Sequence, residues 1–232
     1  MNPGEERFRP ALSVDCAVFG YEKEREDVQV LLVEQRDERI QGRWALPAGF
    51  VGIEESAEEA AARALAETTG IQRVYLEQLY TFSAPKRDPR GRVVSVAYYA
   101  LVPYGDYQHL DGDEGASGVQ WHSLESLPEL VLDHREILET AMKRLRAKIS
   151  YAPVGFELLP ETFTIADLQR FHETILSRKI ERRKFRRRFK ELEILEETGE
   201  KERDVARRPG SLYRLNQERF QFLLKEGYPF EF

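Results

Sequence analysis

A spaced pattern between positions 49 and 71 constrains the fold of this chain more than any other feature. Residues 57–69 are rich in alanine, a strong helix former, and Ser56 with Glu59 has the spacing of a capping box. Gly70 can take the left-handed conformation that commonly ends a helix. The segment therefore predicts a loop followed by a helix at residues 57–69. The spaced pattern consists of Gly49, Glu55, Arg63, Leu65, Glu67, Gly70 and Ile71.

Apolar, β-branched runs surround this helix. They predict strands at residues 11–19, 28–34, 44–46, 74–82, 93–102 and 119–122, and the first two form a hairpin across the charged turn at 22–27. A second helix is predicted at 134–148, because apolar residues recur there at helical spacing. Strands and helices in this order predict an α+β or α/β sandwich for residues 8–149.

The pattern that begins at Gly49 resembles the Nudix box, G-x5-E-x7-R-E-U-x-E-E-x-G-U, where U is aliphatic. The preceding segment, WALPAGFV from Trp44 to Val51, is similar to the W-x-L-P-G-G-F-V segment of that family. The resemblance implies a Nudix α/β/α sandwich. It assigns the box positions to Gly49, Glu55, Arg63, Glu67 and Gly70.

Two positions of the box depart from the family pattern. Nudix hydrolases hold Mg²⁺ or Mn²⁺ with glutamates of the box helix, and Ala64 and Thr68 stand where two of those three glutamates would be. Glu67 is the one retained candidate ligand. Arg63 and Glu67 have the i,i+4 spacing of an ion pair, and Glu55 lies just before the helix, where it can pair with Arg63. The spacing thus also predicts a triad that holds the loop in shape. We therefore expect no catalytic residue, no metal site and no required cofactor, with Mg²⁺ relevant only if hydrolase activity remains. The alternative is that a carboxylate from elsewhere, such as one from the acidic loop at 111–114, completes a metal site and retains that activity.

The loop at residues 86–92 is the candidate ligand-binding segment. It holds four cations in seven residues, and arginine forks match the oxygens of a diphosphate. The loop is also similar to a segment of Nudix proteins that handle ADP-ribose. A solvated hairpin tip is the alternative. The candidate ligand-binding residues, which include aromatic groups that could stack on a base, are Arg36, Arg43, Trp44, Phe82, Arg87, Asp88 and Arg90.

The two halves of the chain differ in charge. Residues 1–150 carry a net charge of −8 and residues 151–232 carry +2. Nine of the thirteen residues from 178 to 190 are lysine or arginine. An acidic chain that binds nucleic acid needs a separate basic face of this kind.

Residues 162–214 have the order helix, turn, helix, strand, loop, strand. Thr164 can cap the first helix, and the second, at about 181–192, places Phe185, Phe189 and Leu192 on one face. Residues 150–161 indicate a connecting segment that packs against a domain. The order predicts a winged helix-turn-helix domain at 162–232. Its candidate DNA-binding residues are Arg182, Arg183, Lys184, Arg186, Arg187, Lys190, Arg207 and Arg208.

The whole chain resembles the NrtR-type transcriptional regulators, in which a degraded Nudix domain precedes a winged helix. That resemblance implies a homodimer that binds a double-stranded DNA operator and responds to ADP-ribose or a related nucleotide or sugar. We expect a repressor in which the helix at 134–148 and the connecting segment couple the two events. An active ADP-ribose pyrophosphatase with a basic appendage is the alternative.

Three further features bear on localisation. No apolar run approaches the roughly 20 residues that span a bilayer, and the N-terminus lacks the apolar core of a secretory signal. Cys16 has no second cysteine with which to form a disulfide. These features predict a cytoplasmic protein with no membrane partner.

Overall fold

The computed structural model describes residues 9–35, 37, 44–72, 74–111, 118–151, 154–202 and 209–226. Its strands are β1 (Ala11–Glu22), β2 (Asp27–Glu34), β3 (Trp44–Ala45), β4 (Ala48–Phe50), β5 (Tyr75–Phe82), β6 (Val93–Leu101), β7 (Val119–Ser123), β8 (Leu195–Lys201) and β9 (Ser211–Leu215). Its α-helices are α1 (Ala57–Thr69), α2 (Tyr104–Tyr107), α3 (His134–Tyr151), α4 (Ile165–Leu176), α5 (Arg182–Leu192) and α6 (Gln217–Lys225).

A mixed sheet forms the centre of the first domain. Its strands are ordered β3-β2-β1-β6-β5, with β4 paired to β1 and β7 paired to β2. Strands β1 and β6 run parallel, and the other pairs between described strands of this sheet are antiparallel. The predicted hairpin is confirmed, because Val18 lies opposite Leu31 and Glu22 lies opposite Asp27.

Strand β1 is buried on both faces, which explains its long apolar run without alternation. On one face, Val14 and Val18 lie in a core that includes Leu65 of α1. On the other face, Phe19 lies in a core that includes Leu138 of α3. One sheet with a helix against each face is the predicted α/β/α sandwich, which is therefore confirmed.

Helix α1 has the bounds that the sequence predicted. The hydroxyl of Ser56 accepts the Glu59 N–H at 3.2 Å, and the Glu59 carboxylate accepts the Ser56 N–H at 2.8 Å, so the capping box is confirmed. Gly70 ends the helix with a φ of 76°. The prediction missed β4, because a three-residue strand between Pro47 and a glycine-containing loop has a turn-like sequence.

The second domain has the predicted winged-helix order. Thr164 caps α4 and exchanges backbone and side-chain hydrogen bonds with Asp167. Strands β8 and β9 form an antiparallel hairpin after α5. The buried rings of Phe171, Phe185 and Phe189 form much of the core. The winged-helix prediction is confirmed, although α6 was missed and the wing tip at 203–208 lies outside the described residues.

The connecting segment packs against this core, as predicted. Val154, Phe156 and Leu158 are buried. Gly155 has a φ of 95°, and a Cβ at this position would lie 2.8 Å from the ring of Phe171, so the close approach requires glycine. In the described ranges, no helix combines the length and the hydropathy needed to cross a membrane.

Candidate ligand cavity and nucleic-acid interface

A cavity of about 300 Å³ lies beside the N-terminal half of β1. Its walls come from β1 and β4, from the loop that joins β5 to β6, and from the segment that leads into α3. The box helix contributes Thr68. The polar lining residues are Ser13, Asp15, Glu34, Gln35, Thr68, Arg87, Asp88, Arg90 and His134.

Arg87 is held in a buried ion-pair network at this cavity. Its Nε and Nη2 donate to the carboxylate of Asp133 at 2.8 and 2.7 Å, and Nη2 also donates to Asp15 at 3.1 Å. Ser95 Oγ donates to the same Asp15 carboxylate at 2.5 Å. The Arg87 side chain is only 2% exposed. The alternative of a solvated hairpin tip is therefore wrong for Arg87, whose buried charge is matched by two carboxylates.

His134 adds a neutral imidazole to the network. Its Nδ1 accepts the backbone N–H of Leu46 at 2.9 Å, which assigns the ring proton to Nε2. That nitrogen lies 3.5 Å from Asp15 Oδ1. Burial lowers the pKa of His134, so the ring remains uncharged near neutral pH. The cavity therefore offers one imidazole N–H beside a buried carboxylate.

Arg90 and Asp88 form a second pair on the cavity wall. The Asp88 carboxylate accepts the backbone N–H of Arg90 at 2.9 Å and its guanidinium at 3.0 and 2.8 Å. The hydrogen bond from the Arg90 side chain is the main cause of the lowered pKa of Asp88. Arg90 Nη1 also lies 3.5 Å from Asp37, and a third of the Arg90 side chain remains exposed. Arg90 is thus the predicted cation that reaches both the cavity and solvent.

The predicted aromatic residues occupy different places. Phe82 is buried, 7% exposed, in the core beneath the sheet. Trp44 packs edge-on against His122, with 4.6 Å between ring centroids. Phe50 lines the cavity and is 57% exposed, a position that the sequence analysis did not single out although it belongs to the segment before the box. Arg36 and Arg43 lie outside the described residues.

Glu55, Arg63 and Glu67 form a closed ion-pair triad on the box loop. Arg63 donates to Glu55 at 3.0 and 2.6 Å and to Glu67 at 3.1 Å. The Arg63 hydrogen bond is the main cause that lowers the pKa of Glu55 to about 2, and the N–H of Gly52 adds to it. The triad was predicted from the spacing and is confirmed. These three side chains hold the loop in shape.

Ala64 and Thr68, the two departures from the box, take the places of carboxylates and pack closely against neighbouring residues. Ala64 is buried against Gly49, where an added Cβ would lie 2.9 Å from the Ala64 Cβ. Thr68 turns its hydroxyl back to the Ala64 carbonyl. Glu67 is bound to Arg63, and the described part of the chain has no cluster of three or more His, Cys, Asp or Glu that could hold a metal ion. The divalent cation of Nudix hydrolases does not fit this side-chain set.

The acidic loop that was left open as a source of ligands is only partly described. Asp111 ends a short 3-10 helix, Gln108–Asp111. Asp113 and Glu114 lie outside the described residues.

Helix α5 presents its cations in separate stripes. Phe185, Phe189 and Leu192 are buried, and Glu181 caps the helix by accepting two backbone N–H groups. The cations that line a groove of about 1090 Å³ between α5, the start of α4 and strand β9 are Arg182, Arg186 and Lys190. Their spacing of four residues places them on one side of the helix.

The remaining cations of α5 are not among the residues that line this groove. Arg183 and Lys184 are exposed. Arg187 is exposed and lies 3.8 Å from Glu191 one turn later. Arg207 and Arg208 of the wing lie outside the described residues. Arg182, Arg186 and Lys190 form what we call the groove stripe. Together with these outer cations, the groove stripe gives α5 a densely basic exposed surface.

Comparison with known proteins assigns both domains. Residues 9–141 match the NUDIX domain, and residues 155–215 match the NrtR DNA-binding winged helix domain. An Acinetobacter baylyi protein described as an ADPR responsive transcriptional repressor is 36% identical over 217 residues, which are 92% of this chain and 85% of that protein.

Two solved structures are similar to the chain. Shewanella oneidensis NrtR complexed with a 27mer DNA superposes with a TM-score of 0.81 and 35% identity, covering 94% of this chain and 96% of that one. The NUDIX domain of the same protein, complexed with ADP ribose, has a TM-score of 0.51 and 33% identity, covering 62% of this chain and 94% of that one.

Proposed function

Because the chain belongs to the NrtR-type branch of the Nudix family, we propose that it is a DNA-binding transcriptional repressor whose operator affinity is controlled by ADP-ribose. One observation carries the proposal: the similarity to an ADP-ribose-responsive repressor runs through both domains in the same order. A basic α5 and a polar cavity in the other domain supply the chemistry that such a protein needs.

We expect the cavity to bind the sugar part of the ligand. Asp15 and Asp88 are acceptors for ribose hydroxyls, and His134 supplies a donor beside them. A volume of about 300 Å³ is at the small end of ligand pockets, which range over ~300–1,000 Å³. ADP-ribose would therefore extend over the rim, where Phe50 offers an exposed ring and Arg90 an accessible cation. Arg36, Arg43, Trp44, Phe82 and Arg87 remain candidate contacts of the same ligand.

We expect α5 to enter the major groove of double-stranded DNA. We expect one DNA backbone strand to pass along the groove between α5 and the base of the wing. Arg182, Arg186 and Lys190 line that passage and would contact phosphates. Arg183, Lys184 and Arg187 on the outer side would reach base edges, and Arg207 and Arg208 belong to the wing.

We also propose an oligomeric state, a cellular location and a metal requirement for the protein. A homodimer in the cytoplasm would match two operator half-sites about one DNA turn apart. Residues 8–149 sense the ligand, 150–161 connect, and 162–232 bind DNA. No metal is needed for ligand sensing, and the missing glutamates at positions 64 and 68 disfavour the alternative of a pyrophosphatase.

Fluorescence anisotropy tests the proposal. The protein is used to select an operator from a pool of random duplexes, and its affinity for the selected and a scrambled duplex is measured with and without ADP-ribose. We expect the selected duplex to bind at least 10³-fold more tightly, as specific sites do, and ADP-ribose to weaken that binding. Equal affinity for both duplexes would refute DNA recognition, whereas selective binding that ignores ADP-ribose would refute the ligand assignment.

A further inference from the structure

Helix α3 begins at the ligand cavity. Val131, Leu132 and His134 line the cavity, and Asp133 between them holds the Arg87 guanidinium with two hydrogen bonds. Leu132 has a φ of 50°, a conformation that a branched side chain rarely adopts. The segment entering α3 is thus a tight turn whose side chains sit in the cavity wall. A ligand that rearranges the Arg87 network acts directly on the start of this helix.

The same helix ends against the DNA-binding domain. Arg146 Nε donates to the carbonyl of Ile175 at 2.9 Å, and its Nη2 donates to Ser177 Oγ at 3.3 Å. Both acceptors belong to the C-terminal end of α4, which Ser177 caps in the left-handed conformation. Arg146 lies thirteen residues after Asp133, or about 20 Å along the helix. Helix α3 therefore spans the distance between the cavity and α4.

A second attachment holds α4 without involving the cavity. In the turn between β1 and β2, Lys23 Nζ lies 3.0 Å from the buried carboxylate of Asp167. Glu26 pairs with Arg170 at 3.3 Å, and its carbonyl accepts the Thr174 hydroxyl at 3.2 Å. The turn between β1 and β2 thus contacts α4 from its first turn to Thr174, whereas α3 contacts its C-terminal end at Ile175 and Ser177. A displacement of α3 relative to the sheet therefore acts on that end of α4, from which a short connection leads into α5.

We propose that α3 is the element that couples ligand binding to DNA binding, with Asp133 and Arg146 as positioning residues at its two ends. The inference rests on the function proposed above. ADP-ribose binding draws Arg87 and Asp133 out of their present pairing, α3 shifts, and Arg146 carries the shift to the C-terminal end of α4. A ligand can do this because it binds the shifted arrangement more tightly than the present one.

The test measures a coupling factor, which is the ratio of the operator dissociation constants with and without saturating ADP-ribose. For the wild type we expect a factor between about 5 and 150, the common range for allosteric coupling. Arg146→Gln should reduce it to below about twofold, while the operator affinity without ligand and the ADP-ribose affinity without DNA stay within about threefold. Asp133→Asn should likewise reduce the coupling factor from the other end of the helix.

Arg144→Gln is the matched control. Arg144 lies on the same helix, but its guanidinium contacts the Leu79 carbonyl and Glu77 of β5 in the first domain. The control should keep the wild-type factor. An Arg146→Gln protein that keeps the full factor, or an Arg144→Gln protein that loses it equally, would overturn the inference alone. A wild-type factor of one would instead overturn the proposed function with it.

Hydrogen exchange of the wild type gives an answer that requires no variant to fold. The amides of Ser177 and Arg178 donate to the carbonyls of Thr174 and Glu173 at the end of α4. ADP-ribose should change their exchange rates at least threefold, while the Glu26 amide in the fixed turn keeps its rate. Unchanged exchange at residues 177 and 178 at saturating ADP-ribose would contradict the coupling route.

Discussion

Arg87 and Asp133 meet through two parallel hydrogen bonds of 2.8 and 2.7 Å, although they are 46 positions apart in the chain. This fork joins the loop after β5 to the residue that precedes α3. Asp15 of β1 accepts a further bond from the same guanidinium. Strand β1, the loop after β5 and the segment before α3 therefore meet at the buried Arg87 charge. This charge lies at the wall of the ligand cavity, beside the start of the helix that reaches the DNA-binding domain.

Removing the guanidinium should be strongly destabilising. Arg87→Met would leave the Asp15 carboxylate buried without its cation, and breaking a buried pair in this way costs about 3–5 kcal/mol. Urea unfolding at pH 7 measures the loss. Lys86→Met is the control, because Lys86 lies in the same loop but is exposed and should change the free energy of unfolding by less than about 0.5 kcal/mol. Equal stability of the two variants would contradict the network's role.

The groove stripe of α5 should set the salt dependence of DNA binding. A lost phosphate contact reduces the slope of log affinity against log salt by about 0.9. Arg186→Ala would remove one such contact from each protomer of the proposed dimer, so it should lower the slope by about 1.8 and weaken operator and scrambled duplexes alike. Arg135→Ala, an exposed cation of the first domain, should alter neither. An unchanged slope in Arg186→Ala would remove Arg186 from the phosphate contacts.

The altered box should lack metal-dependent hydrolysis. We expect no Mg²⁺- or Mn²⁺-dependent release of AMP from ADP-ribose, because Glu67 alone is a poor ligand set and is bound to Arg63. Chromatography of nucleotide products measures this, with an active ADP-ribose pyrophosphatase as the positive control. Metal-dependent release that Glu67→Gln abolished would show that the box still works.

Stability should fall in mildly acidic solution because of a buried histidine. Burial lowers the pKa of His172 to about 4, from about 6.5 in the unfolded chain. Between pH 6.5 and 4 the unfolded state binds a proton at His172 that the folded state does not bind. The part of the free energy of unfolding that is present above pH 6.5 is therefore lost as the pH falls. The shift corresponds to about 3 kcal/mol.

The His172→Phe variant isolates this contribution. Its ring would stand among Phe171, Phe185 and Phe189 without a titrating group. The free energy of unfolding should therefore change less between pH 7 and pH 4.5 in the variant than in the wild type, whatever its absolute value. An identical pH dependence would show that His172 is not the group responsible.

Local features of the fold were predictable from the sequence, whereas the cavity was not. The capping box of α1, the Glu55–Arg63 pair and the buried stripe of α5 depend on residues within one or two turns of each other. Asp15 and Asp133 are ordinary carboxylates that only the folded chain brings to Arg87. The sequence therefore predicted that the loop cations face a ligand. Arg87 instead pairs with the Asp15 and Asp133 carboxylates inside the protein.

Titration calorimetry measures the coupling between the two ligands in the reciprocal direction, as an effect of DNA on ADP-ribose affinity. The dissociation constant for ADP-ribose is determined on the free protein and on the protein saturated with operator duplex. Linkage requires DNA to weaken ADP-ribose binding by the same factor by which ADP-ribose weakens DNA binding. We predict equal factors of at least about 5. Tight ADP-ribose binding with the same constant on free and operator-bound protein would contradict the account.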